Sequence, residues 1–203
     1  VRRFAAGSGW GSPFHSLGAA TPTCRMLRVI VTGGPGVGKT TLLRELSAMG
    51  HAVIEESARE IIRERRLTGQ TPRPEPREFA AELTRRDREK YEKSGLGSSP
   101  VFFDRCLVES VAMAMESGLL SEPEASAMLS AVSFHTQVFV LPPWKEIYTN
   151  DAERDHSFEH CGRVHDDLTR WYVACGYTVH EVPRASPRQR AEHVLRELPR
   201  SGA

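Results

Sequence analysis

A glycine-rich stretch between a β-branched run and an apolar-periodic segment constrains this chain more than any other feature. Gly33 to Thr40 reads Gly-Gly-Pro-Gly-Val-Gly-Lys-Thr and fits the pattern G-x-x-x-x-G-K-[ST] in full. The preceding run, RVIVT at 28–32, predicts a buried strand, and the leucine spacing from Thr40 to Met49 predicts a helix that stops at Gly50. A strand that turns into a helix through this pattern indicates a phosphate-binding loop, or P-loop.

The chemistry of polyphosphate binding explains each residue type in this loop. Backbone N–H groups must wrap the phosphates, which favours glycines that bring no Cβ and tolerate unusual φ angles. A helix that begins near Lys39 directs the positive end of its dipole at the phosphates. Lys39 adds a full charge beside the β- and γ-phosphates, and the Thr40 hydroxyl ligates Mg²⁺. We therefore expect the chain to bind ATP or GTP with Mg²⁺. The predicted nucleotide-contacting residues are Gly33, Gly34, Pro35, Gly36, Val37, Gly38, Lys39, Thr40 and Thr41.

The rest of the pattern alternates strands with helices. Four more strands are predicted at 52–55, 101–104, 137–141 and 177–182. Helices are predicted at 57–69, 78–93, 107–116, 122–133, 151–175 and 186–198, with Ser57 and Glu60 as a capping box for the first of them. Five strands that alternate with helices predict a three-layer α/β fold, a parallel sheet covered by helices on both faces. We expect one domain over 26–200, without repeats.

Composition excludes several other classes of protein. The 27 Lys and Arg nearly cancel the 26 Asp and Glu, so the net charge of +1 does not support a nucleic-acid or anionic-membrane surface. No apolar run approaches the roughly 20 residues that cross a bilayer. The four cysteines are scattered without a CxxC pair, which indicates reduced thiols in a cytoplasmic protein.

The first 25 residues differ in composition from the remainder. They are rich in Gly, Ala, Ser and Pro and have no periodicity. A transit peptide and a disordered leader are two interpretations of such a segment. A third interpretation, which we favour, is a start assigned too early, with Met26 as the first residue. We expect nothing functional before Met26.

A P-loop requires a carboxylate for Mg²⁺ or its water, at the end of a strand next to the first strand. Asp104 closes the run VFFD and is the natural candidate; the alternative is an acid that caps the next helix. Arg105 follows directly and would contact substrate or phosphate, or else pair with a surface acid.

Polar residues at the end of the second strand suggest a site for the phosphate acceptor. Ligands of parallel sheets bind outside the carboxyl ends of the strands, and a carboxylate there can orient a hydroxyl or accept its proton. Glu56, and less so Glu55, has this position, and Arg59 follows one turn into the helix. The alternatives are an acid that stabilises the helix dipole and an ordinary surface arginine.

A polar segment after the fourth strand carries Arg154 and Arg163. Phosphotransferases of this type close a lid there, and its arginines contact the transferring phosphoryl group. We expect Arg154 to have this role before Arg163; a solvated helix face is the alternative. His156, His160, Cys161 and His165 lack the second spaced pair of a zinc site. Trp144, Trp171 and Tyr172 are interpreted as packing residues.

Several stretches together resemble a known family, the NadR/Ttd-type AAA (P-loop NTPase) domains, which are related to nicotinamide riboside kinase domains. The matching stretches are VIVTGGPGVGKTTLL, HAVIEESAREII, PVFFDR, VFVLPPWKEIYTNDAER and GYTVHEVP, between about Leu27 and Leu198. The resemblance implies a nucleotide-kinase-like fold with a lid. By position it implies Lys39 and Thr40 as phosphate and Mg²⁺ residues, Glu56, Arg59 and Arg105 on the substrate side, Asp104 beside Arg105, and Arg154 in the lid. Cys106 departs from the family, where a glycine is expected.

These observations favour a Mg²⁺-dependent small-molecule or nucleoside kinase. Lys39, Glu56, Asp104 and Arg154 are the expected catalytic residues, and Thr40 and Asp104 the expected metal ligands. The competing hypothesis is an NTP-hydrolysing switch or GTP-binding trafficking factor without a small-molecule acceptor, because the family is functionally mixed. An AAA+ motor is a weaker alternative, since no separate C-terminal helical domain is predicted.

Overall fold

The computed structural model describes residues 27–94, 99–148 and 157–199. Within them the chain forms two compact units. A sheet unit comprises 27–53, 99–104, 134–148 and 157–199, and a helical unit comprises 54–94 and 105–133. The single domain over 26–200 stays a prediction, and the first 26 residues lie outside the described part of the chain.

The sheet unit is built on five strands in the order β2-β3-β1-β4-β5. The strands are β1 (Arg28–Gly33), β2 (Ala52–Ile54), β3 (Val101–Asp104), β4 (Gln137–Leu141) and β5 (Thr178–Glu181). The pairings of β1 with β3, β1 with β4, and β4 with β5 are all parallel. The predicted five-stranded parallel sheet is confirmed. Strand β1 lies in the middle, which explains why its residues 29–33 are all buried.

Three helices belong to the sheet unit. They are α1 (Lys39–Ala48), α6 (Phe158–Ala174) and α7 (Pro187–Glu197), and a 3₁₀ turn spans Lys145–Ile147. Leu42 and Leu46 of α1 and Val194 of α7 join Phe102 and Phe139 of the strands in one apolar core. The leucine spacing of α1 and the β-branched content of the strands therefore place the strand-to-helix turn on a rigid support.

The helical unit contains α2 (Ser57–Leu67), α3 (Pro76–Lys93), α4 (Leu107–Glu116) and α5 (Glu122–Ser130). Helix α4 is the most buried of them, with an apolar sequence that packs against α3 and α5. Helix α3 contributes a narrow buried stripe of Ala80, Leu83 and Thr84. Helix α2 packs against α3 and buries Ile61.

Two expected helix features differ from the structure. The residue before α2 is Glu56, so Ser57 is the first helical residue and no side chain caps this helix; the predicted capping box is wrong. Burial accounts for the difference, because the Ser57 side chain is directed into the helical unit, where it is 2% exposed. Helix α5 ends at Ser130, three residues before the predicted Ser133, and carries a capping box of Ser121 and Glu124.

Candidate active site

The P-loop connects β1 to α1 with glycines in the backbone conformations that its turn requires. Gly36 has φ 78° and Gly38 has φ 82°, both in the left-handed region that favours glycine. Gly38 is the N-cap residue of α1, which begins at Lys39 as the sequence predicted. The loop thus ends in a helix N-terminus whose free N–H groups can bind an anion.

Close packing leaves no room for a side chain at two of the loop glycines. A Cβ on Gly34 would lie 2.7 Å from Sγ of Cys161, at the first turn of α6. A Cβ on Gly36 would lie 2.7 Å from Cδ2 of Tyr148, which follows the 3₁₀ turn. The sequence analysis missed both contacts, because spacing along the chain does not indicate which distant side chains approach a loop.

Lys39 and Asp104 form a buried ion pair in the sheet unit. The distance from Lys39 Nζ to Asp104 Oδ1 is 2.6 Å, and the two residues are 6% and 8% exposed. Parallel pairing of β1 with β3 sets Asp104 opposite Val31 and brings the end of β3 to the P-loop. The predicted adjacency of the strands is confirmed, and each buried charge has an opposite charge beside it.

The side chains of this site fit a Mg²⁺–nucleotide complex. Mg²⁺ prefers carboxylate, hydroxyl and phosphate oxygens in an octahedral arrangement. Asp104 Oδ1 is buried, and the Lys39 ammonium lies 2.6 Å from it. Thr40 supplies a hydroxyl in the first turn of α1. These two oxygens are the donors that would hold the ion. In the described part of the chain, no group of three or more His, Cys, Asp and Glu side chains is arranged for a metal.

The helical unit contains a cluster of two acids and two arginines, which we call the acid–arginine cluster: Glu56, Arg59, Arg105 and Glu109. Arg59 Nε lies 2.9 Å from Glu56 Oε2, and Arg105 Nε lies 3.1 Å from Glu56 Oε1. Arg105 also contacts Glu109, with Nη1 at 2.5 Å from Oε2. The structure thus brings together all three residues predicted for the substrate side, and adds Glu109, which is 7% exposed.

An unusual backbone conformation at Arg105 directs its side chain into this cluster. Arg105 has φ 63° and is the one non-glycine residue with positive φ among those described. Such a conformation costs about 1 to 3 kcal/mol and persists where the surroundings enforce it, often at functional sites. Cys106 has φ −166°, an extended backbone that any residue adopts, so the cysteine needs no glycine-like freedom.

Asp87 of α3 lies next to this cluster and was not singled out by the sequence analysis, which interpreted 78–93 as a solvated charged helix. Burial raises the pKa of Asp87 to about 6, and the nearby charge of Glu109 raises it further. Hydrogen bonds from the Ser57 and Ser110 hydroxyls and the charge of Lys90 lower this pKa, but their effect is smaller than that of burial. The solvated-face interpretation is therefore wrong for this position. Asp87 follows the buried residues Leu83 and Thr84 at helical spacing, and this spacing was the available signal.

Replacing Asp87 with Asn should stabilise the protein at neutral pH. The folded-state pKa lies above the usual 3.8, so the folded protein binds the proton more tightly than the unfolded chain. The free energy of unfolding therefore falls as the pH rises from about 4 to about 6 and then levels off. Asp87→Asn should raise the free energy of unfolding by about 1 to 3 kcal/mol at pH 7 and should have little effect on it near pH 4. Urea unfolding across this range measures both values; a less stable variant at pH 7 contradicts the assignment.

The remaining candidate residues differ in where they lie and in how exposed they are. Arg154 and His156 lie outside the described residues, so the lid role of Arg154 stays a prediction. Arg163 is exposed on α6, and His165 Nε2 lies 3.7 Å from Glu181 Oε2. Trp171 and Tyr172 are buried packing residues, 9% and 0% exposed, as predicted. Glu55 is exposed, and its backbone carbonyl accepts a hydrogen bond from Lys90.

Cys106, Cys161 and Cys175 are buried and form no disulfide within the described residues, and burial raises the pKa of Cys161 to about 11. None of the helices in the described ranges is long and apolar enough to cross a membrane.

Solved structures with the same fold include two nucleotide-related proteins. A NadR protein crystallised with NR superposes with a TM-score of 0.63 at 20% identity, over 84% of this chain. Deoxyadenosine kinase from M. mycoides with bound dATP gives a TM-score of 0.52 at 14% identity, over 84% of this chain and 98% of that one. This chain spans only 50% of the NadR chain. A search of curated protein sequences found no significant match.

These likenesses show the fold alone, and they confirm the predicted P-loop α/β fold class. The sequence profile of the AAA domain matches residues 28–190, which is most of the chain. The predicted resemblance to AAA-type P-loop domains is confirmed, and the chain belongs to the AAA domain family.

Proposed function

We propose that this protein is a Mg²⁺-dependent kinase that transfers the γ-phosphate of ATP or GTP to a hydroxyl of a small molecule, with nucleosides as the first class of acceptor. The observation that carries the proposal is the complete P-loop with the buried pair of Lys39 and Asp104. Phosphoryl transfer requires little covalent chemistry from the protein, and its catalysis rests on positioning and charge neutralisation.

On the nucleotide side, residues of the sheet unit would bind the phosphates and the metal. The backbone N–H groups of 33–41, which every residue there except Pro35 possesses, would bind phosphate oxygens, and Lys39 would neutralise charge that develops during transfer. Asp104 and Thr40 would hold Mg²⁺, which would supply positive charge against the phosphates. Each assignment uses a residue whose type and backbone position suit that task.

On the acceptor side, the acid–arginine cluster of the helical unit would bind the substrate hydroxyls. Glu56 is held by Arg59 and Arg105 and is therefore fixed in position before the acceptor binds. A fixed carboxylate orients a hydroxyl by accepting its hydrogen bond and can take its proton as the bond to phosphorus forms. The arginines hold this carboxylate in place and can donate to acceptor oxygens. Arg154 of the predicted lid would contact the transferring group.

Two of the similar structures support a nucleoside as the acceptor class. One contains NR, and the other is a deoxyadenosine kinase. A mixed acid–arginine cluster with a balanced charge suits a neutral, hydroxyl-rich molecule better than a polyanion, which would attract an excess of arginines.

The second candidate is an NTP-hydrolysing switch without a small-molecule acceptor. One observation favours it: both carboxylate oxygens of Glu56 are already engaged by arginines, as in a structural ion-pair network. In that case the cluster would stabilise α2 and α4 and would not contact a substrate.

A panel of acceptors distinguishes the two functions. Release of nucleoside diphosphate is measured with ATP and separately with GTP, in the presence of Mg²⁺, nucleosides (including nicotinamide riboside) and other hydroxylated metabolites. If the protein is a kinase, one class of acceptor should stimulate the release of nucleoside diphosphate at least about tenfold. Arg105→Lys should reduce this stimulation, because a lysine cannot make the same two contacts. A slow rate that no acceptor changes contradicts the kinase and favours the switch.

A further inference from the structure

Arg190 of α7 is a buried cation beside the P-loop. It is 4% exposed, and its Nη1 donates to the carbonyl oxygen of Val37 at 3.4 Å. The guanidinium carbon lies 5.7 Å from the centre of the Trp144 ring, and Nε is buried without a hydrogen-bond partner in the described part of the chain. Within the same residues, no carboxylate forms an ion pair with Arg190.

The surroundings of Arg190 differ from those of Arg86 and Arg105, two half-buried arginines. Arg86 contacts Glu64 and Glu82, and Arg105 contacts Glu56 and Glu109. Arg190 has one carbonyl and one aromatic ring instead, and a buried charge without a counter-charge is costly. Burial accordingly lowers the pKa of Arg190. Among the described residues, the charge of Arg190 therefore has no acidic partner.

The position of the guanidinium indicates what the partner is. A Cβ on Gly38 would lie 2.9 Å from Nη1 and 3.3 Å from Nη2 of Arg190, so the group lies against the backbone of the loop. Gly38 is the N-cap residue of α1, and Lys39, the first residue of that helix, follows it directly. The field of Arg190 thus adds to that of Lys39 and of the helix N-terminus, all of which favour a bound anion.

We propose that Arg190 is a phosphate-binding residue of the nucleotide site: its positive charge, which no acid among the described residues matches, is neutralised by the polyphosphate of the bound nucleoside triphosphate. This inference rests on the nucleotide site of the proposed function and extends it to a residue 153 positions after Val37 of the P-loop. The ligand chemistry is a polyphosphate with its Mg²⁺, whichever base it carries.

The proposal predicts two effects of opposite sign. Loss of the charge relieves an unfavourable burial in the free protein, so a neutral residue of similar length should not lower the melting temperature. The same change removes attraction for phosphate, so it should weaken binding. A residue with only a packing role would lower both stability and affinity when replaced, because a buried side chain that packs well supports both.

The experiment uses the full chain and three variants. Arg190→Met removes the charge, Arg190→Lys keeps it, and Arg188→Met alters an exposed arginine of the same helix as a control. Calorimetric titration gives Kd for Mg·ATP, or for Mg·GTP if the wild type binds it more tightly, and for inorganic tripolyphosphate. Thermal unfolding without ligand gives the melting temperature.

We expect Arg190→Met to weaken both ligands by about tenfold or more, the effect of about 1.4 kcal/mol, without a lower melting temperature. Arg190→Lys should stay within about threefold of the wild type, and Arg188→Met should match it. Unchanged tripolyphosphate binding in Arg190→Met overturns the proposal, and so does a loss confined to the nucleotide, which would place Arg190 at the base. A lower melting temperature in Arg190→Met, with equal loss of affinity in Arg190→Lys, also overturns it. Failure of the wild type to bind any nucleotide instead refutes the proposed function itself.

Discussion

Lys39→Ala should reduce phosphoryl transfer by about 100- to 1000-fold, the effect of removing one group that stabilises transition-state charge. Lys39 is the residue of the P-loop that carries a full charge, and it is 6% exposed, so solvent does not screen it. The variant should also bind Mg·ATP more weakly, since its charge contacts the phosphates in the ground state as well. Steady-state kinetics and calorimetric titration measure the two effects.

The same substitution leaves the Asp104 carboxylate buried without its cation. Breaking a buried pair by removing one partner costs about 3 to 5 kcal/mol, so lower stability could by itself reduce the measured activity. The double variant Lys39→Ala/Asp104→Asn is the control, because it removes the unpaired charge as well. It should recover most of the stability and none of the activity. A Lys39→Ala protein that folds and transfers phosphate at the wild-type rate contradicts the assignment.

Glu56→Gln should reduce transfer by about 100- to 10,000-fold, the usual range for a general base, while the affinity for nucleotide stays within about twofold of the wild type. Glutamine keeps the size of the side chain and one acceptor oxygen but cannot take a proton. The neutral side chain also loses its ion pairs with Arg59 and Arg105, so acceptor binding should weaken. Nucleotide binding should persist because the residues proposed to bind the phosphates all belong to the sheet unit.

Glu60→Gln provides a matched control for this prediction. Glu60 lies one turn further along α2, and its carboxylate contacts Lys90 at 2.8 Å and is not part of the acid–arginine cluster. The control should lose some stability and keep its turnover number. If Glu56→Gln turns over normally while nucleotide and acceptor are saturating, the general-base role is wrong and the cluster is structural.

The sequence predicted the sheet and the P-loop well because both depend on local patterns. The run RVIVT, the glycines and the leucines of 42–46 each act within one turn or strand, and their outcome needs no knowledge of distant residues. Asp104 was predictable for a related reason. A strand-end acid needs only the correct order of strands, and the parallel pairing of β1 with β3 provides it.

The rest of the candidate site depends on contacts that no local pattern reveals. Glu109 joins the acid–arginine cluster, and Asp87 gains its raised pKa, only because α3 and α4 pack together. Arg190 looks like an ordinary polar residue of a charged helix, and it gains its significance from the approach of α7 to Gly38. The wrong capping box at Ser57 has the same origin, since burial of that hydroxyl outweighed the local preference for a cap.

The most direct test of the kinase follows the γ-phosphate itself. In a single turnover with γ-labelled ATP or GTP, Mg²⁺ and the stimulating acceptor, the label is separated into phosphorylated acceptor and inorganic phosphate. The account predicts that most of the label enters the acceptor, and that neither Lys39→Ala nor Glu56→Gln supports this transfer at the wild-type rate. Label that appears only as inorganic phosphate, at a rate that the acceptor does not change, would contradict the kinase and establish an NTPase.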